Sequence, residues 1–217
     1  EFNQLNNYKR VSKTSIKPLK FTFIKDFEDP KRNQIFFNPI TDFNAYEGLT
    51  FGTRLSNKSF ERKPIIYEIT PMYSLKLNEI VGSVKFNYLI YKEKSSFYLT
   101  NIGFYGSNYH YDENLRYQTF IPSITFAKRP SDFRLNKREF FSINLVQVNQ
   151  EYGTNINITP NYSIGNLRYL YSNKEAIRVF SAGGRLEFSD LLGKLSINLD
   201  FRHLFHNGRT FSFRFYG

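Results

Sequence analysis

Lys194-Leu195-Ser196-Ile197-Asn198-Leu199-Asp200-Phe201-Arg202-His203-Leu204-Phe205 alternates apolar and polar side chains almost residue by residue. One set is Leu195, Ile197, Leu199, Phe201, His203 and Phe205; the other is Lys194, Ser196, Asn198, Asp200, Arg202 and Leu204. After Asn207-Gly208 the alternation resumes, with Phe211, Phe213 and Phe215 against Thr210, Ser212 and Arg214. A period of two sends the sets to opposite faces of a strand. A soluble sandwich has the same local pattern. Here, however, the apolar face is largely aromatic and the polar face carries charges of both signs. An apolar-aromatic exterior around a charged, hydrated interior is the pattern of an outer-membrane β-barrel.

The hairpin also fixes its own register. Leu199, Phe201 and Phe205 share a face with Phe211, Phe213 and Phe215 only if partners have numbers of equal parity. A two-residue Asn207-Gly208 turn would set Phe213 beside Arg202. A three-residue loop, His206-Asn207-Gly208 with Gly208 left-handed, restores parity. It predicts Phe201 opposite Phe213, Leu199 opposite Phe215 and Asp200 opposite Arg214.

Upstream the same texture repeats. Ile65, Tyr67, Ile69, Pro71, Tyr73, Leu75 and Leu77 oppose Glu68, Thr70, Ser74 and Lys76. Ile80, Val84, Phe86, Tyr88 and Ile90 oppose Ser83, Lys85 and Asn87. Phe180, Ala182, Gly184, Leu186 and Phe188 oppose Ser181, Gly183, Arg185 and Glu187. Strands are expected at 46–57, 65–77, 79–91, 95–106, 115–128, 137–149, 160–172, 175–189, 194–206 and 209–217. Most exceed the length usual in soluble sheets and suit a tilted membrane strand. Phe86, Phe180, Phe188, Phe201 and Phe213 are expected to face lipid. Within 137–149 the apolar parity switches between Leu145 and Val146, which suggests a bulge or a strand end. Pro71 and Pro122 each remove a ladder donor and require interrupted pairing or a bulge. Gly183-Gly184 falls in mid-strand, where it permits close packing or curvature.

Residues 1–32 are polar and poorly patterned, apart from a short candidate strand at Lys20–Phe27, and read as a linker from an upstream domain. Residues 33–217 form the expected barrel of about ten to twelve strands. The chain begins with Glu rather than Met, so it reads as a processed chain or a segment of something larger. Its 217 residues contain 24 Phe, 16 Tyr, no Trp and no Cys. The aromatic content suits strands. Without cysteine there are no disulfides, thiolate metal sites or cysteine nucleophiles. A mean hydropathy of −0.47 rules out a helical membrane protein but not a barrel, whose strands are only half apolar. The net charge of +11 lies largely between candidate strands, at Tyr91–Lys94 and Lys128–Arg138. That placement suits phosphate-bearing lipid headgroups better than a single nucleic-acid groove.

No catalytic or metal-binding constellation emerges. His203 and His206 lie three apart on one strand, so alternation separates them, whereas a zinc pair wants one face. His110 reads as a surface residue in a Tyr-rich loop. No HExxH, GxSxG, Walker A loop or GxGxxG is present. Asn57, Asn157 and Asn161 begin Asn-x-Ser/Thr sequences, which an Asn-rich chain produces by chance. Glu187 and Asp200 share the polar face with Arg185, Arg202 and Arg214. These five form an expected structural charge lattice in the lumen, because each acid has an arginine near enough to keep it ionised.

Phe36-Phe37-Asn38-Pro39, Phe43-Asn44-Ala45-Tyr46-Glu47-Gly48-Leu49-Thr50-Phe51-Gly52, Thr70-Pro71-Met72-Tyr73-Ser74 and Pro122-Ser123-Ile124-Thr125-Phe126 carry a family resemblance. Arg185–Lys194 and Phe213–Gly217 extend it. These passages resemble the carboxy-terminal outer-membrane barrel regions of Bacteroidota proteins associated with M1-like (gluzincin) metallopeptidase modules. More loosely, they are similar to Omp85-like surface-antigen barrels. The resemblance implies a barrel whose peptidase zinc motif lies upstream; no position here matches that motif, so no catalytic residue carries over.

The resulting expectation is a non-catalytic barrel module in the outer membrane of a Gram-negative bacterium. It would anchor an upstream periplasmic or surface domain, or serve as a subunit of a larger outer-membrane assembly. Expected partners are outer-membrane lipid, lipopolysaccharide and other outer-membrane or periplasmic subunits; no cofactor is expected. One alternative is the barrel portion of a membrane-bound zinc metallopeptidase whose active site lies outside this chain. The other is a soluble basic β-domain binding nucleic acid through stacking platforms.

Overall fold

The computed structural model describes residues 17–24, 29, 31–59, 63–113, 115–152, 161–190 and 192–217. Most of the expected linker and Asn157 lie outside the described residues. The described chain is all-β, with twelve strands in one sheet in sequence order. They are β1 (Leu19–Phe23), β2 (Asn33–Asn44), β3 (Gly48–Ser56), β4 (Ile65–Ser74), β5 (Glu79–Tyr91) and β6 (Phe97–Asp112). The second half holds β7 (Leu115–Lys128), β8 (Lys137–Gln150), β9 (Tyr162–Lys174), β10 (Arg178–Phe188), β11 (Gly193–Leu204) and β12 (Thr210–Tyr216). Each strand from β2 onward pairs antiparallel with the next, whereas β1 lies parallel to β2.

Close backbone approaches between strands join only sequence neighbours, so no second sheet packs on this one. The sandwich arrangement is therefore absent among the described residues. The sheet is also open: β1 and β12 form its two edges and do not pair with each other. The expected closure is thus not made within these twelve strands. Pairing is antiparallel from β2 onward, so β2 and β12 run the same way and joining them directly would take a parallel ladder.

Alternation sets the two faces. Through the registers, Ile69, Val84, Gly106 and Phe120 fall in one row of one face, and Phe180, Phe201 and Phe213 in another. Phe86 and Phe188 are on this same face. Leu19, Phe21 and Phe23 of β1 continue it opposite Asn33, Ile35 and Phe37. We call this face outer. The inner face carries Thr70, Ser83, Ser181, Asp200 and Arg214.

Burial is inverted relative to a water-soluble fold. Among the described residues, all five buried apolar side chains (Phe36, Met72, Val81, Ala127, Val148) lie on the inner face, and nine polar residues are buried as well. Outward-facing Phe43 is 72% exposed, whereas inward Ser74 is fully buried. Water-soluble sheets turn their apolar face to the core.

Several details follow from local sequence. Pro71 and Pro122 interrupt the β3–β4 and β7–β8 ladders, which resume without change of register on either side. The parity switch in β8 is neither a bulge nor an end, because β8 pairs with β9 unbroken from Lys137 to Val148. Instead, Val146 and Val148 turn inward, and Val148 joins the small inner core. At Gly165 the Phe188 ring occupies the space a Cβ would need, 2.3 Å away, so the aromatic covers bare backbone across the strands.

Gly82 faces Pro71 with φ of 139°. A Cβ there would lie 1.9 Å from the Thr70 carbonyl oxygen, whereas at Gly106 the nearest atom is 3.7 Å away. Gly82→Ala should therefore destabilise by more than about 1 kcal/mol, since positive φ and a backbone clash combine. Gly106→Ala should be tolerated. Urea midpoints of the two variants, refolded in parallel, check this.

Candidate functional site

The final hairpin builds the first part of the site. Phe201 pairs with Phe213, Leu199 with Phe215 and Asp200 with Arg214. Gly208 has φ of 76°, and the Phe205 amide donates to the Arg209 carbonyl at 2.8 Å, closing the His206-Asn207-Gly208 loop. Arg214 Nη2 lies 3.3 Å from Asp200 Oδ2. Both side chains are substantially exposed, so the pair should contribute roughly 0.2–1 kcal/mol. Reversing either charge should lose this, and reversing both should restore it; a double-mutant cycle in urea measures the coupling.

Arg185 and Glu187 form the second charged pair of the expected lattice, 3.3 Å apart on the inner face of β10. Arg202 is on that face too, between Val179 and Ser212. The five residues thus share a face but form two groups along the strands. Arg185 and Glu187 sit toward one end. Asp200, Arg202 and Arg214 line a basin of about 1010 Å³ with Lys174 toward the other. The separation is roughly 13 Å, four strand residues.

A third polar cluster was not legible in the sequence. Pairing between β5 and β6 ends at Gly82 and Asn108, although β6 continues to Asp112. Beyond that point the β2–β3 turn takes the place of β5. The His110 amide donates to Glu47 Oε1 at 2.7 Å, and Asn44 Nδ2 donates to the His110 carbonyl at 3.4 Å. Ser74 Oγ donates to the Glu47 carbonyl at 2.6 Å and anchors the turn. His110 is therefore not a surface residue in a loop: it is on a strand and 4% exposed. The sequence misled because its burying partner is 63 residues away.

The imidazole of His110 sits between two carboxylates. Nδ1 is 3.3 Å from Glu47 Oε1 and Nε2 is 3.4 Å from Glu79 Oε2. Arg116 Nη2 in turn lies 2.7 Å from Glu79 Oε2. Both ring nitrogens are thus engaged, and neither is left to meet a substrate, which a general base must do. The arrangement locks a turn to a strand. His203 lies on the outer face edge-on to Phe205, with ring centroids 4.8 Å apart, and His206 is in the terminal loop. Among the described residues no group of three or more His, Asp or Glu is placed to hold a metal ion.

On β10–β12 aromatics and cations also separate by face. Phe180, Phe201 and Phe213 point outward while Arg185, Arg202 and Arg214 point inward. A stacking platform for single-stranded nucleic acid needs both on one surface. Comparison with protein-family models, characterised proteins and solved structures finds no match to this chain.

Proposed function

We propose that this chain is a wall of an outer-membrane β-barrel. In this reading it is a non-catalytic module that anchors a neighbouring periplasmic or surface domain, or joins a larger outer-membrane assembly. The observation that carries this reading is the outer face: apolar, aromatic and exposed, it runs across all twelve strands without a second sheet to cover it. An exposed apolar surface of that extent is foreign to a water-soluble monomer. In lipid it is the solvated surface, while the inner serines, asparagines and ion pairs face water.

Two further features agree. Strands β2 to β11 run from nine to sixteen residues, enough to cross a bilayer at a tilt. At one rim of the outer face, Tyr169 Oη donates to Glu139 at 3.3 Å and Lys128 pairs with Glu139 at 3.0 Å. An amphipathic ring beside paired charges suits a headgroup boundary. Open edges cannot persist in hydrocarbon. Since β2 and β12 run the same way, antiparallel closure takes an odd number of further strands in place of β1, supplied by the assembly.

Membrane fractionation tests the reading. The protein should resist alkaline carbonate washing, require detergent for extraction and migrate faster on gels when unheated. Recovery as a monodisperse species without detergent would overturn it.

A further inference from the structure

The inner face is electrically lopsided. On β2–β7 it carries Arg54 and Lys85 against Asp42, Glu68 and Glu79, with Arg54 beside Glu68 at 3.7 Å and Arg116 reaching Glu79 at 2.7 Å, so the charges there balance. On β9–β12 it carries Arg168, Lys174, Arg185, Lys194, Arg202 and Arg214 against only Glu187 and Asp200. The sharpest point is a cross-strand pair: Arg168 of β9 lies directly opposite Arg185 of β10. Like charges directly opposite in a sheet are destabilising.

Nothing in the fold relieves that pair in full. Glu187 reaches Arg185 at 3.3 Å, but the same carboxylate lies opposite Lys194 across β11. Among the described residues no carboxylate lies within 4 Å of Arg168. The row is flanked by small hydroxyl residues, Ser142 on β8 and Ser196 on β11, and both arginines are exposed.

We propose that Arg168 and Arg185 form a binding site for a phosphate-class dianion. Directly cross-strand residues on one face are close enough for two planar guanidinium forks to converge on one tetrahedral oxyanion with paired N–H donors. A dianion cancels the charge of both arginines, which a single carboxylate does not. The surrounding excess of cations on β9–β12 raises the local concentration of such anions. This site goes beyond the membrane reading and does not depend on it, because the inner face is polar in either solvent.

Calorimetric titration of the full chain with inorganic phosphate at fixed ionic strength tests the proposal, with acetate as the monoanion control. Wild type should bind phosphate saturably and more tightly than acetate. Arg168→Gln should weaken phosphate binding about tenfold or more, while Arg54→Gln, on β3 at the other end of the strand order, should leave it unchanged. A second readout separates a site from a merely structural pair. In phosphate-free buffer Arg168→Gln should raise the melting temperature by relieving repulsion, and it should abolish the further rise that phosphate gives wild type. Glycerol 3-phosphate and short-chain phosphatidic acid, titrated in parallel, distinguish a soluble phosphate ester from a lipid headgroup. Non-saturable binding, equal affinity in Arg168→Gln, or a lower melting temperature for that variant without phosphate would overturn the proposal. If the protein proves soluble without detergent, the same titration runs in plain buffer, so the two readings fail separately.

Discussion

Arginine introduced at Ile197 or Leu199 should weaken folding into lipid vesicles by about 2–4 kcal/mol, the cost of that charge on the lipid face near a bilayer midplane. Both residues are on the outer face, near the middle of the twelve-residue β11. Asn198, between them, points inward over Gly183, with its amide oxygen 2.5 Å from where a Cβ would stand. Arg at 198 extends into the hydrated interior, so its effect should be mild. The measurement is the urea midpoint for folding into vesicles, for all three variants under one protocol. Equal effects at the three neighbouring positions would falsify the assignment of faces. The same variants in detergent-free buffer should show no such alternation if the outer face were wet.

Glu47→Ala should cost about 3 kcal/mol, although Glu47 belongs to a turn. Its carboxylate accepts the His110 amide, and both side chains are 2% exposed. Truncation strands a buried N–H, worth about 1–3 kcal/mol, and removes a second contact to the ring. Glu47→Gln retains an acceptor oxygen and should recover a substantial part of the loss. Glu93→Ala, in the exposed β5–β6 turn, should lie within about 0.5 kcal/mol of wild type. Denaturant midpoints rank the three. The contrast matters because the Glu47 junction is where the turn replaces a missing strand partner; without it, the end of β6 should open first and show faster amide exchange around His110.

How much of this was legible in the chain varies with the range of the interaction. The register of β11 and β12 was readable because every partner is within one hairpin and a one-residue slip would turn Phe213 inward beside Arg202. The limits of β5 and β7 matched for a related reason: an alternating run bounded by turn residues needs no distant information. β2 does not stand out as a discrete strand in the sequence because Gln34, Phe36 and Ile40 put mixed side chains on its inner face, blurring the alternation. In β8, Val146 and Val148 read as a change of face only on the premise that inner positions are polar. The small apolar core on the inner side, with Val148 and Ala127 among its members, supplies the missing reason.

By itself, the sequence determined an all-β chain whose neighbouring strands pair in order, which side of each regular strand is apolar, and the partnership of Asp200 with Arg214. Period-two alternation and short turns encode these locally. Only the tertiary structure decided that the sheet stays open, that β1 lies parallel on the edge of β2, and that His110 is buried by Glu47. Each depends on where separate strands end relative to one another. Strand ends are set by ladder interruptions such as Gly82, whose effect is felt by whichever distant backbone group loses its partner. No periodicity within a single strand carries that information.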